Sequence, residues 1–204
     1  MIKLENINLT LKEQIIFNNL NLNFEKNKKV LLKMPSGAGK STLLKIIMGY
    51  LPIDSGNIII DGEKINENNI DSIREKFAYI GQNIIFTENS VEEYINLIFS
   101  FERNKNIKFS HSYLCELLEK FDLEESLLKK SPKLLSGGEK QRLALILVLL
   151  LNREILLLDE VTSGLDHNLK VKVIEILKDL DKTIIISSHD NQWLDYPEFS
   201  VVRW

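Results

Sequence analysis

The chain has 204 residues, of which 44% are hydrophobic, and its formal net charge is −3 at pH 7. This length supports one hydrophobic core but would crowd two, so we predict a single domain over residues 1–204, with space for one inserted lobe. The negative charge gives no general reason to bind nucleic acid, whose phosphates require concentrated Lys and Arg, and we expect no nucleic-acid partner.

The cysteine content and the lengths of the apolar runs bear on the cellular compartment in which the chain is expected. Cys115 is the only cysteine, so no internal disulfide can form, which is typical of a reducing environment. Its apolar neighbours predict a thiol packed in the core. The longest apolar run, residues 143–151, is far shorter than the roughly 20 residues of a membrane helix. The amino terminus has no apolar signal region. We therefore expect a soluble, cytosolic chain.

The amino-terminal third contains short strand patterns. Apolar residues recur over 2–9, and over 20–24 they alternate with polar ones, as in a half-buried strand. Residues 54–62 follow a turn–strand–turn pattern. These patterns predict an antiparallel β subdomain at the amino terminus.

Three continuous apolar runs predict fully buried strands of a parallel sheet: residues 30–32, 155–158 and 183–186. Each run leads into a polar or glycine-rich segment, where ligand sites form at the carboxyl ends of parallel strands. Between about residues 88 and 151 the apolar spacing becomes helical, which predicts an inserted helical subdomain.

A glycine-rich loop follows the first buried run and precedes a helical pattern. In this setting backbone N–H groups and a helix amino terminus can surround a phosphate. Lys40 is predicted to reach the β- and γ-phosphates of ATP, and the Ser41 hydroxyl to ligate Mg²⁺. The predicted nucleotide contacts of the loop are Ser36, Gly37, Ala38, Gly39, Lys40, Ser41 and Thr42. The alternative is a chance glycine-rich turn.

The second buried run ends in two carboxylates. Asp159 is a candidate metal ligand, acting through water, and Glu160 is a candidate general base for an attacking water. An Asp–Glu pair alone would more simply cap a turn. Because a phosphate loop precedes it in the chain, we favour the catalytic interpretation.

The most specific string covers residues 135–142, with the sequence Leu-Ser-Gly-Gly-Glu-Lys-Gln-Arg. A Ser-Gly-Gly turn that opens a helix presents a second set of donors to an anion. A helix cap explains Ser136 but not Gly137 and Gly138, since glycine in a first turn lowers helix stability. The chain thus has two anion-binding motifs with different sequences.

This string and the motifs around it resemble the ATP-binding cassette (ABC) family, in particular the ATP-binding subunits of small bacterial transporters. The resemblance implies an α/β fold, a P-loop NTPase core with an antiparallel β subdomain and a helical insertion. It further implies that Ser136, Gly137 and Gly138 bind the γ-phosphate held by a second copy of the chain.

The resemblance also assigns three residues that are uninformative alone. Gln82 matches a glutamine that touches Mg²⁺ and senses the membrane partner, and Asp166 matches a loop that crosses the dimer interface. His189 matches a histidine that contacts the γ-phosphate. The motifs follow one another in the family's order. His111 and His167 match nothing, and we expect them to be exposed.

Three positions depart from the usual patterns. Met34 replaces the first glycine of the strict phosphate-loop pattern. Leu11 occupies the position where the family stacks adenine on an aromatic residue, so base affinity is expected to fall by about 1 kcal/mol. Val161 replaces a common proline, with little expected effect.

The predicted function is ATP hydrolysis that powers a transporter through ATP-driven, head-to-tail dimerisation. The expected partners are a second copy and a separately encoded transmembrane permease, at the inner face of the cell membrane. The stretch 96–101 resembles small bacterial exporters, including those of metal ions. The alternatives are a soluble, non-transport cassette ATPase and a regulatory nucleotide-binding module without turnover.

Overall fold

The structure is a computed structural model that describes residues 1–204. Its strands, in chain order, are β1 (Ile2–Leu11), β2 (Gln14–Phe24), β3 (Lys29–Leu32), β4 (Ser55–Ile60), β5 (Glu63–Lys64), β6 (Phe77–Ile80), β7 (Ile155–Asp159), β8 (Thr183–Ser187) and β9 (Phe199–Val202). Its α-helices are α1 (Lys40–Ile47), α2 (Ile70–Arg74), α3 (Val91–Ser100), α4 (His111–Lys120), α5 (Gly137–Leu151) and α6 (His167–Lys178). Short 3₁₀ helices cover Glu102–Asn104, Glu125–Lys129, Pro132–Leu134 and Asn191–Asp195.

The strands form two sheets. The amino-terminal sheet is antiparallel in the order β2-β1-β4-β5, and the second sheet has the order β6-β7-β8-β3-β9 with parallel pairing throughout. The predicted α/β class, with its parallel sheet and antiparallel subdomain, is therefore confirmed. The sequence patterns found three of the five parallel strands and missed β6 and β9.

The continuous apolar runs are buried on both faces of the parallel sheet. In β7, Leu156 and Leu158 pack into a core of 33 buried residues together with α3–α6, whereas Ile155 and Leu157 pack into a second core of 21 with α1 and the antiparallel sheet. Alternate residues of a strand point to opposite faces, so a strand between two cores must be apolar throughout.

Helices α3 to α5 occupy Val91–Leu151, within the region that the sequence predicts to be helical. Two expectations about α4 need correction. Its apolar spacing at residues 113, 114, 117, 118 and 121 predicts one apolar helix face, but Tyr113 is exposed; Cys115 is half-buried rather than part of the core. His111 and His167 are exposed, as predicted. No helix combines the length and apolar character needed to cross a membrane.

Candidate nucleotide site

The glycine-rich loop joins β3 to α1 and requires glycine at its end. Gly39 lies before the first turn of α1 at φ +89°, in the left-handed region that favours glycine. A Cβ on this residue would lie 2.8 Å from Cγ2 of Ile16. Gly37 also has a positive φ, of +82°, and its surroundings are open. The loop therefore presents its backbone to the surface, with the amino terminus of α1 behind it.

Lys40 is buried against its own loop. Its side chain is only 7% exposed, and Nζ donates hydrogen bonds to the carbonyl oxygens of Met34 (2.8 Å) and Pro35 (3.2 Å). Nζ also lies 3.1 Å from Nε2 of His189, which follows β8. An ammonium group can only donate, so this Nε2 accepts the hydrogen bond.

The two carboxylates at the end of β7 have different environments. Asp159 is 3% exposed and accepts a hydrogen bond from the Ser187 hydroxyl of the adjacent β8. Glu160 is half-buried, and its Oε1 is inaccessible and without a hydrogen-bond partner. Burial raises the pKa of Glu160, while the nearby His189 and Lys40 lower it by a smaller amount.

Lys40, Glu160 and His189 meet at the carboxyl edge of the parallel sheet. Oε1 of Glu160 lies 3.6 Å from Nε2 of His189, the atom that contacts Lys40. Glu160 and His189 come just after β7 and β8, and Lys40 ends the loop that follows β3. Because the three strands are neighbours in the order β7-β8-β3, their carboxyl ends bring these residues together. An unpaired carboxylate oxygen beside an ammonium group and an imidazole can orient a water next to a phosphate.

The predicted metal ligands offer oxygen atoms, which Mg²⁺ prefers. Ser41 is in the first turn of α1, and Asp159 is the last residue of β7. Gln82 is exposed and lines a groove of about 550 Å³ together with Gly137 and Gly164. The donor set fits Mg²⁺, with Gln82 placed towards the second anion-binding motif.

That second motif opens α5 and is exposed. The Ser136 hydroxyl accepts a hydrogen bond from the Glu139 backbone N–H (3.2 Å), and the Glu139 carboxylate accepts one from the Ser136 N–H (2.8 Å). This capping box lowers the pKa of Glu139, mainly through the bond from the Ser136 backbone. A Cβ added to Gly137 would meet nothing within 4 Å. The turn is thus rigid, and open on its outer side.

Leu11 and Asp166 lie at the ends of their elements. Leu11 closes β1 opposite Gln14 and is half-buried against the amino-terminal core. Asp166 caps α6 by accepting a hydrogen bond from the Leu169 N–H at 3.0 Å. The cap leaves Asp166 exposed, on the same loop as Gly164.

Two residues around the site were missed by sequence reasoning. Trp204 donates an indole N–H hydrogen bond to the Ala38 carbonyl at 3.2 Å and packs edge-on against Phe17. Its backbone N–H lies 3.4 Å from the sulfur of Met34, the residue that stands where the strict phosphate-loop pattern has glycine. Gln141 is buried between the second motif and the Glu160 turn. The string at 135–142 already contained Gln141, but its contacts depend on the fold.

The parallel sheet, the glycine-rich loop at a helix amino terminus and the carboxylate that follows β7 define a P-loop nucleotide hydrolase. The family model described as "ABC transporter" matches residues 17–163. The chain belongs to this family, and it is an ABC-type ATPase.

Known relatives cover almost the whole chain. The energy-coupling factor transporter ATP-binding protein EcfA1 of Mycoplasmopsis synoviae is 38% identical, over 93% of this chain and 74% of its own length. The probable iron export ATP-binding protein FetA of Escherichia coli is 31% identical, over 97% of this chain and 88% of its own.

Solved structures of MJ0796 from Methanocaldococcus jannaschii match the fold. Its dimeric structure has a TM-score of 0.79 at 32% identity and covers 95% of this chain and 90% of that chain. A dimeric structure of its post-hydrolysis state, bound to ADP and Pi, gives a TM-score of 0.80 at 30% identity.

Proposed function

We propose that this chain hydrolyses ATP as one half of a head-to-tail dimer and thereby powers a separately encoded membrane permease. One observation carries the proposal. The chain forms two anion-binding motifs, and the hydrogen bonds of residues 136–138 stay within α5 and never reach the phosphate loop. A second copy, related by a two-fold axis, would bring each phosphate loop to the other chain's Ser136-Gly137-Gly138 turn.

Residues 36–42 bind the phosphates in this proposal. Their backbone N–H groups and the amino terminus of α1 attract negative charge, and Lys40 transfers its hydrogen bonds from loop carbonyls to the β- and γ-phosphates. Ser41, Asp159 and Gln82 would hold Mg²⁺. When bound, this ion neutralises charge on the β- and γ-oxygens. Leu11 would contact the adenine ring of ATP.

Glu160 acts as the general base. Its unpaired Oε1 is buried beside Lys40 and His189 in the structure, and it becomes accessible in this proposal as those two side chains turn to the phosphates. It then accepts a hydrogen bond from the attacking water and takes its proton as the water oxygen attacks the γ-phosphorus. The bond between the γ-phosphorus and the bridging oxygen then breaks, giving ADP and Pi. His189, beside both Glu160 and Lys40, holds the γ-phosphate.

ATP drives closure because both chains grip the same γ-phosphate, so the closed dimer binds ATP more tightly than the open one. Hydrolysis removes that grip and lets the dimer open. Asp166 lies at the interface. We also propose that residues 1–204 act as one ATPase domain, whose helical subdomain, about 88–151, passes the motion with Gln82 to a permease at the cytoplasmic face of the membrane.

The cargo crosses the permease, so the ATPase sequence constrains it weakly. Similarity to FetA along 97% of the chain supports export, with a metal ion as the candidate cargo. Similarity to EcfA1 supports a second candidate, a transporter of the energy-coupling factor type. Co-purification of the permease, followed by metal-ion uptake into inside-out vesicles with ATP, separates the two candidates.

The Glu160→Gln variant tests the dimer directly. It keeps the size of the side chain but cannot take a proton, so we expect ATP to accumulate in a closed dimer, seen by light scattering after size exclusion. Glu119→Gln, an exposed change on α4, is the matched control and should behave as wild type. A Glu160→Gln chain that stays monomeric in saturating ATP contradicts the proposal.

A further inference from the structure

Gln141 links the exposed turn at 136–138 to the backbone of the candidate base. It lies in the second turn of α5 and is 9% exposed. Its Nε2 donates hydrogen bonds to the Glu160 carbonyl (2.9 Å) and to the Ser163 hydroxyl (3.3 Å). Its Oε1 accepts one from the Gly164 N–H (3.1 Å). One side-chain amide therefore joins α5 to the loop that follows β7, through three residues of that loop.

The orientation of this amide is fixed by its partners. The Glu160 carbonyl can only accept and the Gly164 N–H can only donate, so a flipped amide would lose both hydrogen bonds. The fit is also tight. A Cβ on Gly164 would lie 2.8 Å from Oε1 of Gln141, so a larger residue at this position would displace the amide.

The backbone of Glu160 needs such support. Its φ is +54°, a left-handed conformation that non-glycine residues adopt at a cost of about 1 kcal/mol or more. The conformation is maintained because the Glu160 N–H donates to the Ser187 carbonyl (3.0 Å) and the Glu160 carbonyl also accepts from the Ser163 N–H (3.1 Å). The amide of Gln141 is the one contact in this set that comes from α5.

We propose that Gln141 is a positioning residue that couples occupation of the Ser136-Gly137-Gly138 turn to the placement of Glu160 in the same chain. Phosphate binding at the amino terminus of α5 fixes that helix, and the Gln141 amide transmits its position to the Glu160 and Gly164 turns. Each chain's base thus responds to the nucleotide bound by its partner. This inference rests on the proposed head-to-tail site.

The test compares Gln141→Met and Gln141→Glu with wild type. Methionine has a similar length but makes no amide hydrogen bonds, and glutamate keeps an acceptor for Gly164 but cannot donate to the Glu160 carbonyl. We expect kcat to fall about 10- to 100-fold in both variants through misplacement of the base. The KM for ATP should stay within about threefold, because the phosphate loop is untouched.

A second measurement excludes a merely structural role. In the Glu160→Gln background, Gln141→Met should still form ATP-dependent dimers, since both anion-binding motifs remain intact. Gln192→Met, whose amide contacts the exposed His167 instead, is the matched control and should keep wild-type kcat.

Three results would decide against the coupling. Unchanged kcat in Gln141→Met overturns it outright. A parallel loss of dimer formation and kcat would assign Gln141 to support of the 136–138 turn. A proportionate loss of kcat and melting temperature would make it an ordinary core residue. Failure of the proposed function looks different, because then Glu160→Gln alone would not dimerise.

Discussion

The two anion-binding regions of this chain are built in opposite ways. The phosphate loop makes many contacts with the rest of the chain. Lys40 is buried against loop carbonyls and contacts His189, and the Trp204 indole N–H donates a hydrogen bond to the Ala38 carbonyl. The turn at 136–138 is closed by its own capping box and faces open space at Gly137. The side chains of the first region thus contact one another within a single chain, whereas the second region contacts none of the other predicted catalytic residues.

This difference teaches that the proposed catalytic groups and the proposed second phosphate contact can be mutated separately. A mutation in one chain can remove a group of the phosphate-loop region, while a mutation in another chain blocks the turn at 136–138. The predictions below test each region in turn, from the largest expected effect to the smallest.

Lys40→Ala should have the largest effect. It removes the ammonium group that we propose to contact the phosphates, and we expect kcat/KM for ATP to fall about 100- to 1000-fold, as for a lost transition-state donor. A phosphate-release assay measures this. Lys45→Ala, an exposed change on the same helix, should retain wild-type turnover. Normal turnover by Lys40→Ala would rule out the assignment of the loop.

Gly137→Ala should separate stability from activity. The added methyl group has open space in the single chain, and alanine is favoured over glycine in a helix by up to about 1 kcal/mol. The melting temperature should therefore stay equal or rise. Turnover should fall about tenfold, because the methyl group weakens one charged hydrogen bond to the partner's phosphate.

The control for that variant is Ser112→Ala, which changes the exposed first turn of α4 and should leave turnover unchanged. If Gly137→Ala hydrolyses ATP at the wild-type rate, the turn does not meet a phosphate.

Trp204→Phe should have a small effect on binding alone. Phenylalanine keeps an aromatic edge against Phe17 but loses the hydrogen bond to the Ala38 carbonyl, worth about 1 kcal/mol. We expect ATP affinity, measured by equilibrium titration, to fall about fivefold. Val201→Ala, exposed on β9, is the control. Unchanged affinity would show that Trp204 does not support the loop.

Glu160→Gln should change the pH dependence of stability. Because burial raises the pKa of Glu160 in the folded state, ionising this carboxyl destabilises the fold. The penalty is absent below the ordinary value of 4.5 and is complete above the raised pKa. The variant should therefore melt at a higher temperature than wild type near neutral pH, and the difference should shrink towards pH 4.5. A constant difference across this range would contradict the raised pKa.

The parts of the site that the sequence predicts are those carried by local motifs. Glu160 and His189 come shortly after buried apolar runs, and Lys40 ends the glycine-rich loop that follows a third run. Adjacent parallel strands end at one edge of the sheet, which brings the three residues together. The predicted helices of the 88–151 region were also found, because their apolar spacing is local. The roles of these residues remain predictions.

The missed features depend on long-range contacts or on unusual backbone. The β1–β2 turn is formed by Lys12 and Glu13, both at positive φ, where the usual turn residues are Asn and Gly. Strand β9 and the contacts of Trp204 can be recognised only once β9 is paired with β3 beside the phosphate loop. Gln141 likewise needs the Glu160 turn folded against α5.

Mixing two inactive variants tests the central claim most directly. Lys40→Ala damages the phosphate loop, and Gly137→Arg blocks the exposed turn, where an added Cβ meets nothing within 4 Å in the single chain. In a mixed head-to-tail dimer one site carries both defects and the other carries neither. Equal mixing should therefore restore ATP turnover above that of either variant alone. The upper limit is about a quarter of the wild-type rate, since half of randomly paired dimers contain one intact site. The proposed coupling through Gln141 keeps the recovery below this limit, because the chain that supplies the intact phosphate loop and Glu160 carries the blocked turn. No recovery at any mixing ratio would show that each chain completes its own site, and would contradict the account.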